Sequence, residues 1–258
     1  MIIAVINNKG GTGKTTTSVN VAAALAKKGL KILLVDLDAQ GSASLSLGIP
    51  FDELNPSTAD VLFDDLDIER ALRIDAGRNL DLLTGGFDLA SSDLILADVA
   101  GRESILKECL APLKQKYDFI FCDCPPSLSL LSVNALVASD AYILPVTAEY
   151  LALEGLVSMT MAVDEIKKGM DIHPRLLGIC FTMMTRGVKS MREIVELVRD
   201  EYGDKVFTTE IRRSVKLAEA PSFGKNIFAY APRSSGAMEY AKLVEEIQRR
   251  SQLQTQEK

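Results

Sequence analysis

The sequence has no tryptophan and a single histidine, and its aromatic residues amount to 6% of 258. A core must therefore be built from aliphatic side chains, which the 47% hydrophobic content supplies. The lone histidine, His173, precedes Pro174 and reads as a turn residue, so no histidine cluster is available for a metal centre. Four cysteines are present: Cys109, Cys122, Cys124 and Cys180. Cys122 and Cys124 fall two apart on an expected strand, but a second pair at ligand spacing is missing, and they read as small buried hydrophobes. No apolar run reaches the length of a bilayer-spanning helix. Met1-Ile2-Ile3 leads straight into a strand pattern and not into a signal peptide. The expectation is a cytoplasmic chain with reduced thiols and no membrane association. A net charge of −6 excludes a protein coated in basic residues, though not a local basic surface.

What is present is an alternation of short aliphatic runs and amphipathic stretches. Ile2–Ile6, Lys31–Val35, Asp118–Cys122, Ala141–Val146 and Leu176–Phe181 suit strands buried on both faces, with Leu80–Leu83 and Val206–Ile211 as further candidates. Thr15 to Lys28 starts polar, finishes Lys-Lys and stops at Gly29, as a helix should. Leu151–Lys168, Ser190–Tyr202 and Ser235–Arg250 follow the same helical spacing. The alternation predicts an α/β fold, a mostly parallel twisted sheet with helices on both faces. Residues 48–102 read as a less regular insertion, with helical pieces at Ser57–Phe63 and Ile68–Arg73 and a Gly85-Gly86 pair. One domain is expected over residues 1–250, with a polar, disordered tail at 251–258.

The first strand feeds Asn7-Asn8-Lys9-Gly10-Gly11-Thr12-Gly13-Lys14-Thr15-Thr16, and a helix opens at its end. Glycines let a backbone bend around a polyphosphate with its N–H groups turned inward, and the helix N-terminus adds positive potential. Lys14 is expected along the β- and γ-phosphates and the Thr15 hydroxyl on Mg²⁺, which makes the chain a P-loop NTPase binding a nucleoside triphosphate. Asn8 stands where the ordinary G-x-x-x-x-G-K-[ST] pattern has its first glycine, and Lys9, Gly10 and Gly11 add a cation and two flexible residues. Carboxylates complete such a site when they end neighbouring strands. Asp36 and Asp38 close the second strand on one face, and Asp123 closes another just before Cys124-Pro125-Pro126-Ser127. One such group serves Mg²⁺, often through water, and another positions the attacking water.

The K-G-G-x-G-K-T-T form resembles the deviant Walker A loop of the ParA/MinD family of ATPases. Asp36 to Gly41 resembles switch I of ParA proteins, Asp123 to Ser127 their Walker B and switch II, and Glu219-Ala220-Pro221-Ser222 a segment near the C-terminus of ParA/Soj proteins. The resemblance covers roughly residues 1–243 and is loosest at 48–102. It implies a homodimer formed face to face on ATP binding, with Lys9 reaching the partner's nucleotide and Gly10 where the loops meet. It implies catalytic roles for Lys9, Lys14 and Asp38, nucleotide contacts from residues 9–16 and Asp36, and Asp123 in the Mg²⁺ shell with Thr15. It further implies non-specific binding of double-stranded DNA, a ParB/Spo0J-like partner that stimulates hydrolysis, and a nucleoid-associated location. Residues 186–233 hold ten Lys/Arg against seven Asp/Glu, and Lys189, Arg192, Arg213 and Lys216 are the DNA candidates within them. Ile211-Arg212-Arg213-Ser214 departs from the I-P-R-N of many relatives, in a segment that helps enclose the adenine. A MinD-like, membrane-bound, division-site ATPase is the alternative. It needs an amphipathic C-terminal helix, whereas the end of this chain turns polar after Ile247.

Overall fold

A computed structural model describes residues 1–256, with side chains described through residue 252. Seven strands form one sheet: β1 (Ile2–Val5), β2 (Ile32–Asp36), β3 (Leu72–Gly77), β4 (Leu80–Leu83), β5 (Phe119–Asp123), β6 (Ala141–Thr147) and β7 (Arg175–Thr182). Their spatial order is β3-β4-β2-β5-β1-β6-β7, and every neighbouring pair is parallel except β3 with β4. Every residue of β1 and β2 is buried, which is why these strands read as unbroken aliphatic runs rather than alternating ones.

The period of two still sorts the side chains. Ile2, Ala4, Leu33, Val35, Ile120 and Cys122 pack on one side, with the helices Leu130–Ala138, Ala152–Met170 and Lys189–Tyr202. Ile3, Val5, Ile32, Leu34 and Phe121 pack on the other, with helix α1 (Lys14–Lys27) and the C-terminal helix Ser235–Gln256. Cys122, Cys124 and Cys180 are buried as expected, and among the described residues no group of three His, Cys, Asp or Glu forms a ready metal cage.

Three expectations change. Val206–Ile211 is not a strand: it touches the sheet through isolated bridges, Ile179 with Val206 and Met184 with Arg212. Its apolar content reflects burial rather than a ladder: Phe207 and Ile211 pack on the side of the C-terminal helix, and Val206 on the side of the helix Lys189–Tyr202. The helix expected at Ile68–Arg73 ends at Ala71, and the chain continues as the antiparallel edge strand β3. A half-exposed edge strand carries too little apolar signal to be seen against its flanking helix. The C-terminal helix, expected over Ser235–Arg250, runs to Gln256, and residues 257 and 258 of the expected tail lie outside the described residues.

Candidate nucleotide site

Strands β1, β2 and β5 lie side by side and end at the same edge, which is where open parallel sheets bind ligands. The loop after β1 is shaped by two glycines in the left-handed region, Gly11 (φ 71°) and Gly13 (φ 82°). Asn7 pins its start, donating Nδ2 to the Pro145 carbonyl at 2.8 Å and accepting the Lys9 N–H at 2.9 Å. Thr182 pins its far side through Oγ1 to the Thr12 carbonyl at 2.7 Å. Helix α1 begins at Gly13 without a side-chain cap and without an acidic residue in its first turn. Its leading N–H groups thus have no carboxylate competing for them and face the loop's concavity, the arrangement that receives a phosphate.

Lys14 is buried, and its Nζ donates to the Lys9 carbonyl at 2.9 Å. Burial lowers the pKa of its ammonium, while Asp123, Cys124 and Asp38 nearby pull it back up. Lys9 itself is exposed. Its side chain leaves the loop and lies against the helix Ala152–Met170, where a Cβ placed on Gly155 would sit 4.0 Å from Nζ. The ammonium thus rests beside a helix of its own chain.

The carboxylates converge as their strand-end positions suggested. Parallel pairing of β2 with β5 sets Asp36 beside Asp123, and both are fully buried. Asp36 accepts the Ser44 N–H at 2.9 Å, the Ser44 hydroxyl at 2.7 Å and the Asp38 N–H at 3.1 Å. Burial nevertheless pushes its pKa up to about 6. Asp123 accepts from Ser18 Oγ at 2.8 Å, but its Oδ2 has no partner. Burial, then the adjacent Asp36, raises its pKa to about 7, with the Thr15 and Ser18 hydroxyls lowering it partway. A buried carboxylate oxygen left unpartnered, with the Thr15 hydroxyl nearby, fits a Mg²⁺ ion, which keeps several waters and takes one or two protein ligands alongside phosphate oxygens. Asp38 is half-buried, and its Oδ1 accepts the Gln40 N–H at 3.0 Å.

Several residues that complete the site were not singled out from the sequence. Ser18 lies one helical turn after Lys14, a spacing that carries the signal. Ser44, on the short helix α2 (Ser42–Ser46), and Gly85, whose N–H donates to Ser44 Oγ at 3.0 Å, reach Asp36 only through the fold. Beside Gly13 a cavity of about 210 Å³ is lined by Thr16, Met183, Arg213, Leu217 and Tyr240. The departing Arg212 does not obstruct it: its guanidinium is paired with Glu239 on the C-terminal helix.

The four DNA candidates fall on two elements. Lys189 and Arg192 begin the helix Lys189–Tyr202, and Arg213 and Lys216 lie near the helix Val215–Glu219. The Arg213 N–H donates to the Met184 carbonyl at 3.0 Å, which brings the second pair to the loop that leads into the first. Lys189 pairs with Glu193 and Lys216 with Glu219, and Arg192 and Arg213 are exposed. Beyond α2, Gly48 lies against Gly224: a Cβ on Gly224 would stand 2.6 Å from Gly48 Cα, so the chain approaches itself there as only glycine allows.

This architecture is shared. The family described as AAA domain matches residues 1–176. The sporulation initiation inhibitor protein Soj of Bacillus subtilis is 43% identical over 95% of this chain and 97% of its own. The chromosome-partitioning ATPase Soj of Thermus thermophilus is 41% identical over 97% and 96%. A crystal structure described as cobyrinic acid a,c-diamide synthase from Mycobacterium smegmatis, with bound ATP analog and magnesium, superposes with a TM-score of 0.83 at 35% identity over 95% of this chain and 92% of that one. The phosphate loop, the three strand-end carboxylates and these likenesses along nearly the whole chain agree: the protein belongs to the AAA domain family and, within it, to the ParA/Soj group of chromosome-partitioning ATPases.

Proposed function

We propose that the chain is a DNA-partitioning switch in which ATP closes two copies face to face, the dimer binds double-stranded DNA without sequence preference, and hydrolysis, stimulated by a ParB/Spo0J-like partner, releases it. The backbone N–H groups of residues 10–15 cradle the triphosphate, and Lys14 leaves the Lys9 carbonyl for the β- and γ-phosphate oxygens. Thr15 and Asp123 would hold Mg²⁺, which would supply positive charge to stabilise the triphosphate. Ser18 orients Asp123, Ser44 orients Asp36, and Asp38, at the open end of β2, directs the attacking water.

The observation that carries the dimer is the pair Lys9–Gly10. The Lys9 ammonium lies beside the helix Ala152–Met170, where a second copy could draw it across. Gly10 is not in the left-handed region, and a Cβ there would meet nothing closer than Pro126 at 3.9 Å. No protein atom of the same chain requires glycine at this position, which leaves it open to the nucleotide and to the close approach of a second copy. The Gly48–Gly224 contact supports coupling to DNA, since it joins the Asp36–Ser44 element to the segment carrying Arg213 and Lys216. Phosphate contacts by such residues are insensitive to sequence and weaken steeply with salt.

The test is a DNA gel shift with ADP, ATP and a non-hydrolysable analogue across a salt series, alongside molar mass by light scattering. Dimers and shifted DNA should appear only with the triphosphates, and Lys9→Ala should lose turnover and dimer with monomer ATP affinity kept. A wild-type chain that stays monomeric with the analogue at every concentration overturns the reading.

A further inference from the structure

The cavity beside Gly13 owes its shape to one face of the C-terminal helix. Gly236, Glu239 and Tyr240 sit at i, i+3 and i+4 and so project to the same side. Tyr240 forms the floor: it is buried, and its hydroxyl lies 3.2 Å from Thr17 Oγ1 on α1. Gly236 admits Leu217, whose Cγ would stand 2.8 Å from a Cβ at that position. Glu239 holds the remaining wall, residues 211–214.

That wall is not a sheet strand and depends on what ties it down. The Ile211 N–H donates to the Phe181 carbonyl at 2.8 Å, the Met184 N–H to the Ile211 carbonyl at 3.0 Å, and the Arg213 N–H to the Met184 carbonyl at 3.0 Å. The Arg212 N–H faces away from this ladder and donates to Glu239 Oε2 at 2.9 Å, while Arg212 Nε donates to Oε1 of the same carboxylate. Glu239 is 7% exposed, so its carboxylate is shielded from competing water. One carboxylate thus clamps both the backbone and the side chain of the residue at the centre of the wall. Three apolar or aromatic elements (Met183, Leu217 and the Tyr240 ring) and the backbone of 211–214 then enclose a slot that begins where the phosphate loop ends. Such a lining takes a flat heteroaromatic ring by its faces and reads its edge with backbone groups.

We propose that Glu239, acting through Arg212, is a positioning residue for the nucleobase: it sets how tightly the purine end of ATP is held, without touching the phosphates. The inference rests on the triphosphate lying in the loop between Gly10 and Thr15. The clamp also gives the C-terminal helix a direct part in nucleotide recognition, some 220 residues after the motif that announces it.

The experiment compares two ligands by calorimetric titration in the presence of Mg²⁺: ATP, which has a base, and inorganic tripolyphosphate, which has none. Glu239→Ala should weaken ATP by about tenfold, the loss expected for hydrogen bonds to a charged group. It should leave tripolyphosphate unchanged and the kcat at saturating ATP intact. Glu239→Gln keeps an oxygen to accept the Arg212 N–H and should fall between alanine and wild type, and it supplies the readout if the alanine variant does not fold. Parallel weakening of ATP and tripolyphosphate, or no weakening of either, overturns the positioning role. Equal wild-type affinity for the two ligands overturns the base cavity itself, and failure of wild type to bind tripolyphosphate at all overturns the phosphate-loop reading on which it rests.

Discussion

Gly85 is the residue on which the geometry makes its sharpest demand outside the phosphate loop. A Cβ there would lie 2.5 Å from the Asp38 carbonyl oxygen and 2.8 Å from Asp36 Cγ, both rigid parts of the carboxylate turn. For Gly85→Ala, the turn must retreat by about half an ångström or more, an overpacking that costs about 1–3 kcal/mol. In a domain of this size each kcal/mol lowers the melting temperature by about 2–4 °C, so the variant should melt about 2–12 °C below wild type. The displacement falls on Asp38 and on the Gly85–Ser44–Asp36 hydrogen bonds, so turnover should drop about 10- to 100-fold, the sensitivity expected of a misplaced catalytic group. ATP affinity, set by the phosphate loop and the base cavity and not by this turn, should stay within a factor of about three. Gly101→Ala is the control. Gly101 has φ 74° with nothing within 4 Å of its would-be Cβ, so it carries the backbone strain of an alanine in the left-handed region without a collision. Differential scanning fluorimetry and a coupled ATPase assay read both quantities. A Gly85→Ala protein with wild-type melting and wild-type kcat refutes the steric argument.

The other expectations concern charge. Lys14→Ala should abolish nucleotide binding by calorimetry, because the buried ammonium has no substitute among its neighbours, Asp123, Cys124 and Asp38. Asp38→Ala should bind ATP normally but hydrolyse it at least tenfold more slowly, leaving a dimer that persists on DNA in a dissociation assay. Burial raises the pKa of Asp36 to about 6 and of Asp123 to about 7, so between about pH 4 and 7 the folded, ligand-free chain holds more protons than the unfolded one. Its stability should therefore decline as pH rises through that window, while the stabilisation given by Mg²⁺–ATP grows, as melting curves from pH 5 to 8 would show; a flat ligand-free profile counts against the paired carboxylates. Arg213→Glu should weaken DNA binding at low salt more than Lys216→Glu, since Glu219 already partly neutralises Lys216 at 2.9 Å, and equal losses in filter binding would indicate that this ion pair opens on DNA.

The sequence by itself determined what is local. A strand that stops at a glycine-rich loop, and a helix that starts on Lys14, follow from residues adjacent in the chain, because φ freedom at Gly11 and Gly13 and the uncapped helix start are properties of the segment alone. The carboxylates at the ends of β2 and β5 were legible for the same reason: an aspartate that terminates an apolar run lies at a sheet edge wherever the strand is placed. The tertiary structure decided what depends on register and on contacts between distant segments. Whether Asp36 stands beside Asp123 is a consequence of which strand is inserted between β1 and β2, and their shared burial follows from that insertion. Ser44, Gly85 and Thr182 have no local signature, since a serine, a glycine and a threonine gain their roles only from the backbone they happen to face. Val206–Ile211 looked like a strand because burial and strand pairing demand the same apolar residues, and only the fold distinguishes them. The clamp of Arg212 by Glu239 arises in the same way, from a helix packed across a segment 27 positions earlier in the chain.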